Sequence, residues 1–330
     1  MPRAFTHVDG DQRIVFGPDA LRAADELVPE GYALLTTTRA SRSAPRFAER
    51  AGVVVEVPAG AVDVVAAGLR DAHGGRPLVA LGGGRVVDVA KALAAADGLA
   101  GPVAVPTSLS GAEMTGVHRH ARGVPADTPR SRAALVLNDP ALSASQPVPD
   151  LAASSGNALG HAVTAASSPR SGPLARAVAR DAIAHLGRAW SGEEPDREEV
   201  ALGALLAGWS VDRSGLGLHH ALAQTAVRVA GLSHAGTNVA LLPHTVRALR
   251  ERLPDELAEA EASLAGSLEE LAVDLHRRAG SPGLGTLGTD DALLERAVTT
   301  AAGRAELGHV PSPPTAEDVR TLYARAAAAG

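Results

Sequence analysis

The first half of the chain alternates short apolar runs, rich in β-branched residues, with segments whose apolar residues recur at helical spacing. Helical patterns such as VDVVAAGLRDA and RVVDVAKALAAA separate the apolar runs. Regular alternation of the two patterns predicts a parallel sheet that helices cover on both faces. The runs that predict strands are YALLTTT (32–38), GVVVEVP (52–58), PLVALGGG (77–84), GPVAVPTS (101–108) and AALVLNDP (133–140).

Beyond residue 150 the pattern is helical throughout. Segments such as DLAASSGNALGHAVTAA and EEVALGALLAGWSVDRSG carry apolar residues at helical spacing, and Gly, Pro and Ser stand between the segments. We predict an α/β domain over residues 1–149 and an all-helical domain over residues 150–330. A chain of 330 residues favours two domains, because a single hydrophobic core seldom organises more than about 250–300 residues.

Composition and charge exclude several classes of partner. The 31 basic residues are scattered among 37 acidic ones, with a formal net charge of -6, so we expect no nucleic-acid binding. The amino terminus lacks the apolar core of a signal peptide, and no apolar run reaches the roughly 18 residues of a membrane span. We therefore expect a cytoplasmic protein without membrane insertion. Because the chain has no cysteine, any metal must be held by His, Asp, Glu or Asn.

Three consecutive glycines, Gly82, Gly83 and Gly84, stand between the third predicted strand and the helix that carries Asp88 and Lys91. Backbone N–H groups and the dipole at such a helix start suit a phosphate or pyrophosphate, whose approach a Cβ would block. A tight strand-to-helix turn without a ligand would also favour glycine. The pattern differs from the G-x-G-x-x-G dinucleotide fingerprint, which follows the first strand.

Five motifs in a fixed order give these glycines a context. They are GGGRVVDVAKALA, VPTSLSGAEMT, GNALGHAV, GLHHALAQ and GLSHAGTNVALLPH. Over roughly residues 5–250 they resemble the iron-containing (group III) alcohol dehydrogenase superfamily, and SGAEMT, GNALGH and GLHHAL most resemble its maleylacetate reductase branch. That branch uses NADH or NADPH to reduce the carbon–carbon double bond of maleylacetate, giving 3-oxoadipate in aromatic degradation. The resemblance implies a dehydroquinate synthase-like fold, an active site in the cleft between the domains, a small-molecule substrate and a homodimer.

The resemblance also implies a coenzyme site at the carboxyl ends of the strands. Thr38 stands where NAD-preferring relatives often place an Asp that bonds the adenosine ribose. Without that carboxylate a 2′-phosphate is not repelled, and Arg39 could attract one or be a solvated loop charge, so NADH and NADPH both remain open. The other positions that the resemblance assigns to coenzyme binding are Gly82, Gly83, Gly84, Arg85, Asp88, Thr107 and Ser108.

Metal-dependent members of the superfamily bind Fe2+ or Zn2+ through one Asp and three His residues. The matching positions here are Asn157, His161, His220 and His234. Asn157 and His161 lie one helical turn apart and share a face, but a neutral amide does not offset the divalent charge. We therefore expect weak or no metal binding. The three histidines are instead expected to be catalytic, as proton donors and carboxylate ligands.

Several positions near the expected site depart from the reductase pattern. Arg85 follows the glycines in place of Ser, Thr164 replaces a frequent Glu, and Gln224 replaces a His. These changes leave the substrate open, and they leave three alternatives: a metal-dependent alcohol dehydrogenase, a non-redox cyclase of the dehydroquinate synthase type, or an inactive coenzyme-binding homologue. The residues expected to hold a substrate carboxylate are His118, Arg119 and Arg122.

Overall fold

The structure is a computed structural model and describes residues 4–328. The chain divides into two compact units between Ser145 and Gln146, against a predicted boundary at residue 149. The first unit is α/β and the second is helical, which confirms the predicted fold class. Across the described residues, no helix has the length and apolar character needed to cross a bilayer.

The first unit is built on a sheet. The strands found within residues 4–328 are β1 (Phe5–Asp9), β2 (Gln12–Phe16), β3 (Ala33–Thr36), β4 (Val53–Glu56), β5 (Leu78–Gly82), β6 (Val103–Pro106) and β7 (Leu135–Asn138). Their spatial order is β1-β2-β7-β6-β5-β3-β4, and all neighbours are parallel except β1 and β2. Every position of β3 and β5 is buried, as expected of strands covered on both faces.

The antiparallel hairpin of β1 and β2 lies outside the predicted strands. Asp9 pairs with Gln12, so the connecting turn has two residues, and Gly10 at its start has a φ of 63°. Glycine adopts this left-handed backbone without a steric penalty. A two-residue Gly-Asp turn between two strand-like runs is a hairpin signal, so the sequence did carry the information.

The helices of the first unit are mostly short. They are α1 (Ala24–Leu27), α2 (Thr38–Ser43), α3 (Arg46–Glu49), α4 (Val62–Gly68), α5 (Gly84–Asp97) and α6 (Pro140–Ser143), with a 3-10 helix at Ala20–Ala23. The longest, α5, follows β5 directly, and β5 lies between β3 and β6. Because these three strands are parallel, the segments that follow them emerge at the same edge of the sheet. This edge carries the glycine turn.

The second unit is a helical assembly around one buried helix. Its helices are α7 (Val148–Ser167), α8 (Pro173–Ala189), α9 (Arg197–Ser214), α10 (Leu218–Ala230), α11 (His234–Arg252), α12 (Pro254–Glu261), α13 (Leu268–Ala279), α14 (Asp291–Ala302) and α15 (Ala316–Ala328), with 3-10 helices at Gly285–Gly288 and Ala305–His309. In α7, 16 of the 20 residues are buried, because α8, α9, α11 and α13 all pack against it. Polar residues on α7 are therefore held inside the unit.

Candidate active site

The glycine turn connects β5 to the amino end of α5. No side chain of the described residues caps this end, and the first turn of α5 has no acidic residue that would already neutralise the helix dipole. Thr107 and Ser108 follow the neighbouring strand β6, and the Thr107 backbone N–H donates to the Gly82 carbonyl at 3.0 Å. The structure thus brings the glycines and the two hydroxyl residues together at a half-buried helix start, which suits a pyrophosphate.

The glycines of this turn are needed for space and not for an unusual backbone. None of them has a positive φ. A Cβ at Gly83 would lie 3.1 Å from the Ser108 hydroxyl, and one at Gly84 would lie 2.8 Å from the Ser110 side chain. Close packing against the segment after β6 therefore leaves little room for a side chain at these positions even before a ligand is considered. Arg85, the next residue, is exposed.

Asp88 lies one turn further along α5, where it pairs with a lysine of the same helix. Its carboxylate forms an ion pair with the Lys91 ammonium at 2.8 Å. Lys91 is completely buried and also donates to the carbonyls of Ala112, Thr115 and Val117 at 2.7–3.0 Å. Lys91 therefore holds the loop after β6 against α5. Sequence reasoning missed this role, which depends on where the loop folds back.

Glu113 lies in the same loop and is also buried. Burial raises the pKa of Glu113 to about 7, although the charge of Lys91 lowers it in part. One carboxylate oxygen, Oε2, has no hydrogen-bond partner within residues 4–328. A carboxyl group in this environment is partly protonated near neutral pH.

A second carboxylate lies at the end of the strands, where none was predicted. The Thr38 hydroxyl donates a 2.7 Å hydrogen bond to Oε1 of Glu56, the last residue of β4. Thr38, Arg39 and Glu56 are all exposed. Glu56 was not recognisable from the sequence, because its proximity to Thr38 depends on the pairing of β3 with β4.

In the loop expected to hold a substrate carboxylate, His118 is engaged in hydrogen bonds, whereas Arg119 and Arg122 are exposed. Both ring nitrogens of His118 are engaged, since Nδ1 donates to the Arg119 carbonyl at 3.1 Å and Nε2 accepts from the Ser131 backbone at 2.9 Å. Arg119 and Arg122 are exposed and form long ion pairs with Asp63, at 3.6 and 3.5 Å. A ligand can therefore reach the two guanidinium groups more readily than the His118 ring.

In the second unit, a buried polar cluster forms where α7 meets α10. The imidazole rings of His161 and His220 stack with centroids 4.3 Å apart and planes 9° from parallel. His219 meets His220 edge-on at 4.9 Å. Gly160 makes room for these rings, because a Cβ there would lie 2.5 Å from the His219 ring.

Five polar atoms in and beside this cluster are buried without a hydrogen-bond partner in the described chain: Oδ1 of Asn157, Nδ1 of His161, Nε2 of His219 and both ring nitrogens of His220. An unsatisfied buried polar group costs about 1–3 kcal/mol. Burial lowers the pKa of His161 to about 3, helped by the nearby His219 and His234, and holds that of His220 well below its usual range. The imidazoles are therefore neutral at neutral pH and ready to bond a ligand.

His219 and His234 flank this cluster. The Thr245 hydroxyl donates to helical carbonyls, so the 2.9 Å contact between His219 Nδ1 and that hydroxyl fixes the proton on Nδ1. His234 begins α11 and is exposed, although its charge still lowers the pKa values of His161 and His220. The sequence analysis did not include His219 among the site residues.

Comparison with known proteins places this arrangement in a family. Residues 151–327 match the Fe-containing alcohol dehydrogenase family, C-terminal. The chain belongs to this family. It is 33% identical over 268 residues to maleylacetate reductase 1 of Rhodococcus opacus, covering 76% of this chain and 72% of the relative. It is 30% identical over 342 residues to maleylacetate reductase of Sphingobium indicum, covering 95% of each. The crystal structure of maleylacetate reductase from Agrobacterium tumefaciens superimposes with a TM-score of 0.81 at 27% identity, covering 99% of each chain.

Because the family is Fe-containing, the next question is whether these residues fit a metal ion. The lone pair of an imidazole nitrogen lies in the ring plane, so a metal about 2.0–2.1 Å from two such nitrogens must lie near both planes. The stacked, nearly parallel rings of His161 and His220 share no such point. Among residues 4–328 no group of three or more His, Asp or Glu side chains is arranged to hold a metal ion. The donor set of this family member, with neutral Asn157, does not fit a divalent metal.

Two departures from the family pattern have structural partners. The Gln224 side-chain oxygen accepts a 3.1 Å hydrogen bond from Arg304, which also pairs with Glu306. Thr164 is buried and packs against Gly217, since a Cβ on Gly217 would lie 3.0 Å from the Thr164 side chain. Both substitutions therefore belong to contacts inside the second unit.

Proposed function

We propose that this chain is an NAD(P)H-dependent reductase of the maleylacetate reductase type, reducing the carbon–carbon double bond of maleylacetate or a similar unsaturated oxo-dicarboxylate without a metal. The observation that carries the proposal is the pair of neutral, stacked imidazoles next to Asn157, in which Nδ1 of His161 and both ring nitrogens of His220 have no hydrogen-bond partner within residues 4–328. The likeness to several maleylacetate reductases supports the substrate class. We also propose that the chain forms a cytoplasmic homodimer that acts in aromatic degradation, as the resemblance seen in its sequence motifs implies.

The glycine turn is the proposed coenzyme site. The backbone N–H groups at the start of α5 would bind the pyrophosphate, and the hydroxyls of Thr107 and Ser108 would bond its oxygens. A bound coenzyme supplies the hydride for the reaction. Lys91 keeps the loop after β6 in position through its three carbonyl bonds, so we assign it a positioning role.

The histidine cluster is the proposed substrate site. Hydride addition to the alkene carbon β to a carbonyl pushes an electron pair onto the carbonyl oxygen, and a neutral N–H of His220 or His161 would stabilise that oxygen by hydrogen bonding. The α carbon then takes a proton, for which the exposed His234 is the candidate donor. Arg119 and Arg122 are the candidates for binding a substrate carboxylate, because their ion pairs with Asp63 are long.

The direct test is turnover of the purified protein with maleylacetate and each nicotinamide coenzyme, followed by coenzyme absorbance and product analysis. We expect one coenzyme to be oxidised for each 3-oxoadipate formed. A panel of unsaturated and saturated oxo-dicarboxylates defines the substrate class. Binding of coenzyme with no turnover of any compound in the panel would contradict the reductase assignment and favour an inactive homologue.

A metal-dependent alcohol dehydrogenase is the second candidate, because His161, His220 and His234 stand at the positions that hold metal in such relatives. Metal analysis and prolonged chelation separate the two candidates. We expect well under one equivalent of Fe or Zn and activity that survives chelation. Asn157→Asp adds the anion that the site lacks and should increase metal affinity. A stoichiometric metal whose removal abolishes activity would establish the alternative.

A further inference from the structure

The contact between Thr38 and Glu56 bears on which coenzyme the proposed site accepts. Thr38 follows β3, and Glu56 ends β4, the edge strand beside it. The register pairs Thr36 with Glu56, and the Thr38 hydroxyl then reaches Oε1 of Glu56 at 2.7 Å. Both side chains are exposed at the same edge of the sheet as the glycine turn, and the fold does not bury them for packing.

The order of the strands places this pair where a dinucleotide extends. β5 ends in the glycine turn and β3 is its immediate neighbour, with strands about 4.8 Å apart. In dinucleotide-binding folds the adenosine ribose lies over the end of the strand next to the glycine-rich turn, where a carboxylate bonds its 2′-hydroxyl. Here that strand itself ends in threonines, and the carboxylate comes from the next strand out.

The hydrogen-bonding roles of the pair determine what it can recognise. The Thr38 hydroxyl proton is committed to Glu56, so the oxygen of Thr38 and the second oxygen of Glu56 present only acceptor sites. A ribose 2′-hydroxyl can donate to such acceptors. A 2′-phosphate is itself an acceptor with about two negative charges, and a nearby carboxylate repels it.

We propose that Glu56, oriented by Thr38, makes this protein select NADH over NADPH. The inference rests on the proposed coenzyme site and names the residue that decides its specificity. It differs from the expectation from the sequence, in which the missing Asp at position 38 left both coenzymes open. The competing influence is Arg39, which is exposed and has no ion pair or side-chain hydrogen bond within the described chain.

Titrations of coenzyme fluorescence with NADH and NADPH test the proposal on the full chain. For the unaltered protein we expect NADH to bind at least about tenfold more tightly than NADPH. In Glu56→Gln the ratio should fall by about tenfold, mainly through tighter NADPH binding, because the amide removes the charge and adds a donor. Thr38→Val, which keeps the shape and removes the hydroxyl, should give part of this loss.

Two further variants separate the possible causes. Glu26→Gln removes an exposed carboxylate from α1, which leads towards the start of β3 and not its end, and should leave the ratio unchanged. Arg39→Ala measures the competing attraction and should weaken NADPH binding only. An unchanged ratio in folded Glu56→Gln, or an NADPH preference that Arg39→Ala abolishes, would overturn the proposal. Failure of both coenzymes to bind would contradict the proposed function itself.

Discussion

Lys91 in the first unit and His220 in the second are both polar side chains that the fold removes from water, with exposures of 0% and 2%. Their surroundings are opposite. The Lys91 ammonium has three backbone carbonyls and the Asp88 carboxylate around it. Neither ring nitrogen of His220 has a hydrogen-bond partner within residues 4–328. Since unsatisfied buried groups cost free energy, the first arrangement supports the fold, whereas the second is what the proposed ligand-binding role of His220 requires.

Replacement of Lys91 should therefore produce a large loss of stability. Lys91→Met keeps most of the side-chain length but leaves three carbonyls and Asp88 without their donor, and we expect the free energy of unfolding to fall by about 3 kcal/mol or more. Urea denaturation measures this change. Arg85→Met replaces an exposed base on the same helix and should have an effect below about 0.5 kcal/mol. Equal effects of the two variants would show that the carbonyl bonds contribute little.

Replacement of His220 should have the opposite signature. In His220→Leu turnover should fall by about 100-fold or more, because a positioned hydrogen-bonding group is lost. Stability should be unchanged or higher, since two unpaired nitrogens leave the interior. The matched variant His219→Leu breaks the bond to Thr245 and should lower the free energy of unfolding by about 1 kcal/mol. A strongly destabilised His220→Leu would mean that His220 is structural.

The sequence predicted the features that depend on local pattern. The five predicted strands correspond to β3–β7, because the strands of a mostly parallel sheet read as nearly continuous apolar runs. Features that depend on how distant segments meet could not be predicted. The Thr38–Glu56 bond requires the strand order, and the stacking of His161 on His220 requires the packing of α7 on α10.

Glu113, which is buried in the same loop that Lys91 holds, sharpens the comparison through pH. Its folded pKa of about 7 lies above the ordinary value of 4.5, so the folded protein binds more protons between these values. Stability is therefore greatest below pH 4.5 for this group and is lost as the pH rises towards 7. Glu113→Gln mimics the neutral acid and should be more stable than the unaltered protein at pH 8 by about 2 kcal/mol, with a smaller difference at pH 5.

Urea midpoints at the two pH values measure the Glu113 effect. The difference between variant and unaltered protein cancels the titration of all other groups. Glu26→Gln, at an exposed position, should show the same difference at both pH values. A constant difference for Glu113→Gln would indicate that its carboxyl is ionised throughout and is better solvated than its burial implies.

The smallest expected effect concerns the glycine turn, where the proposed coenzyme site is marked by available space and not by an unpaired atom. Gly83→Ala places a methyl group 3.1 Å from the Ser108 hydroxyl, which can rotate away, so stability should fall by only about 0.5 kcal/mol. NADH binding should weaken by about tenfold, roughly 1.4 kcal/mol, because the methyl group obstructs the pyrophosphate.

The double-mutant cycle with Ser108→Ala separates the two effects, since removal of the hydroxyl relieves the contact within the protein and not the contact with the ligand. We expect the double variant to regain the stability of Ser108→Ala but not its NADH affinity. Recovery of both would show that the methyl group acts only through Ser108, and that Gly83 serves the turn alone.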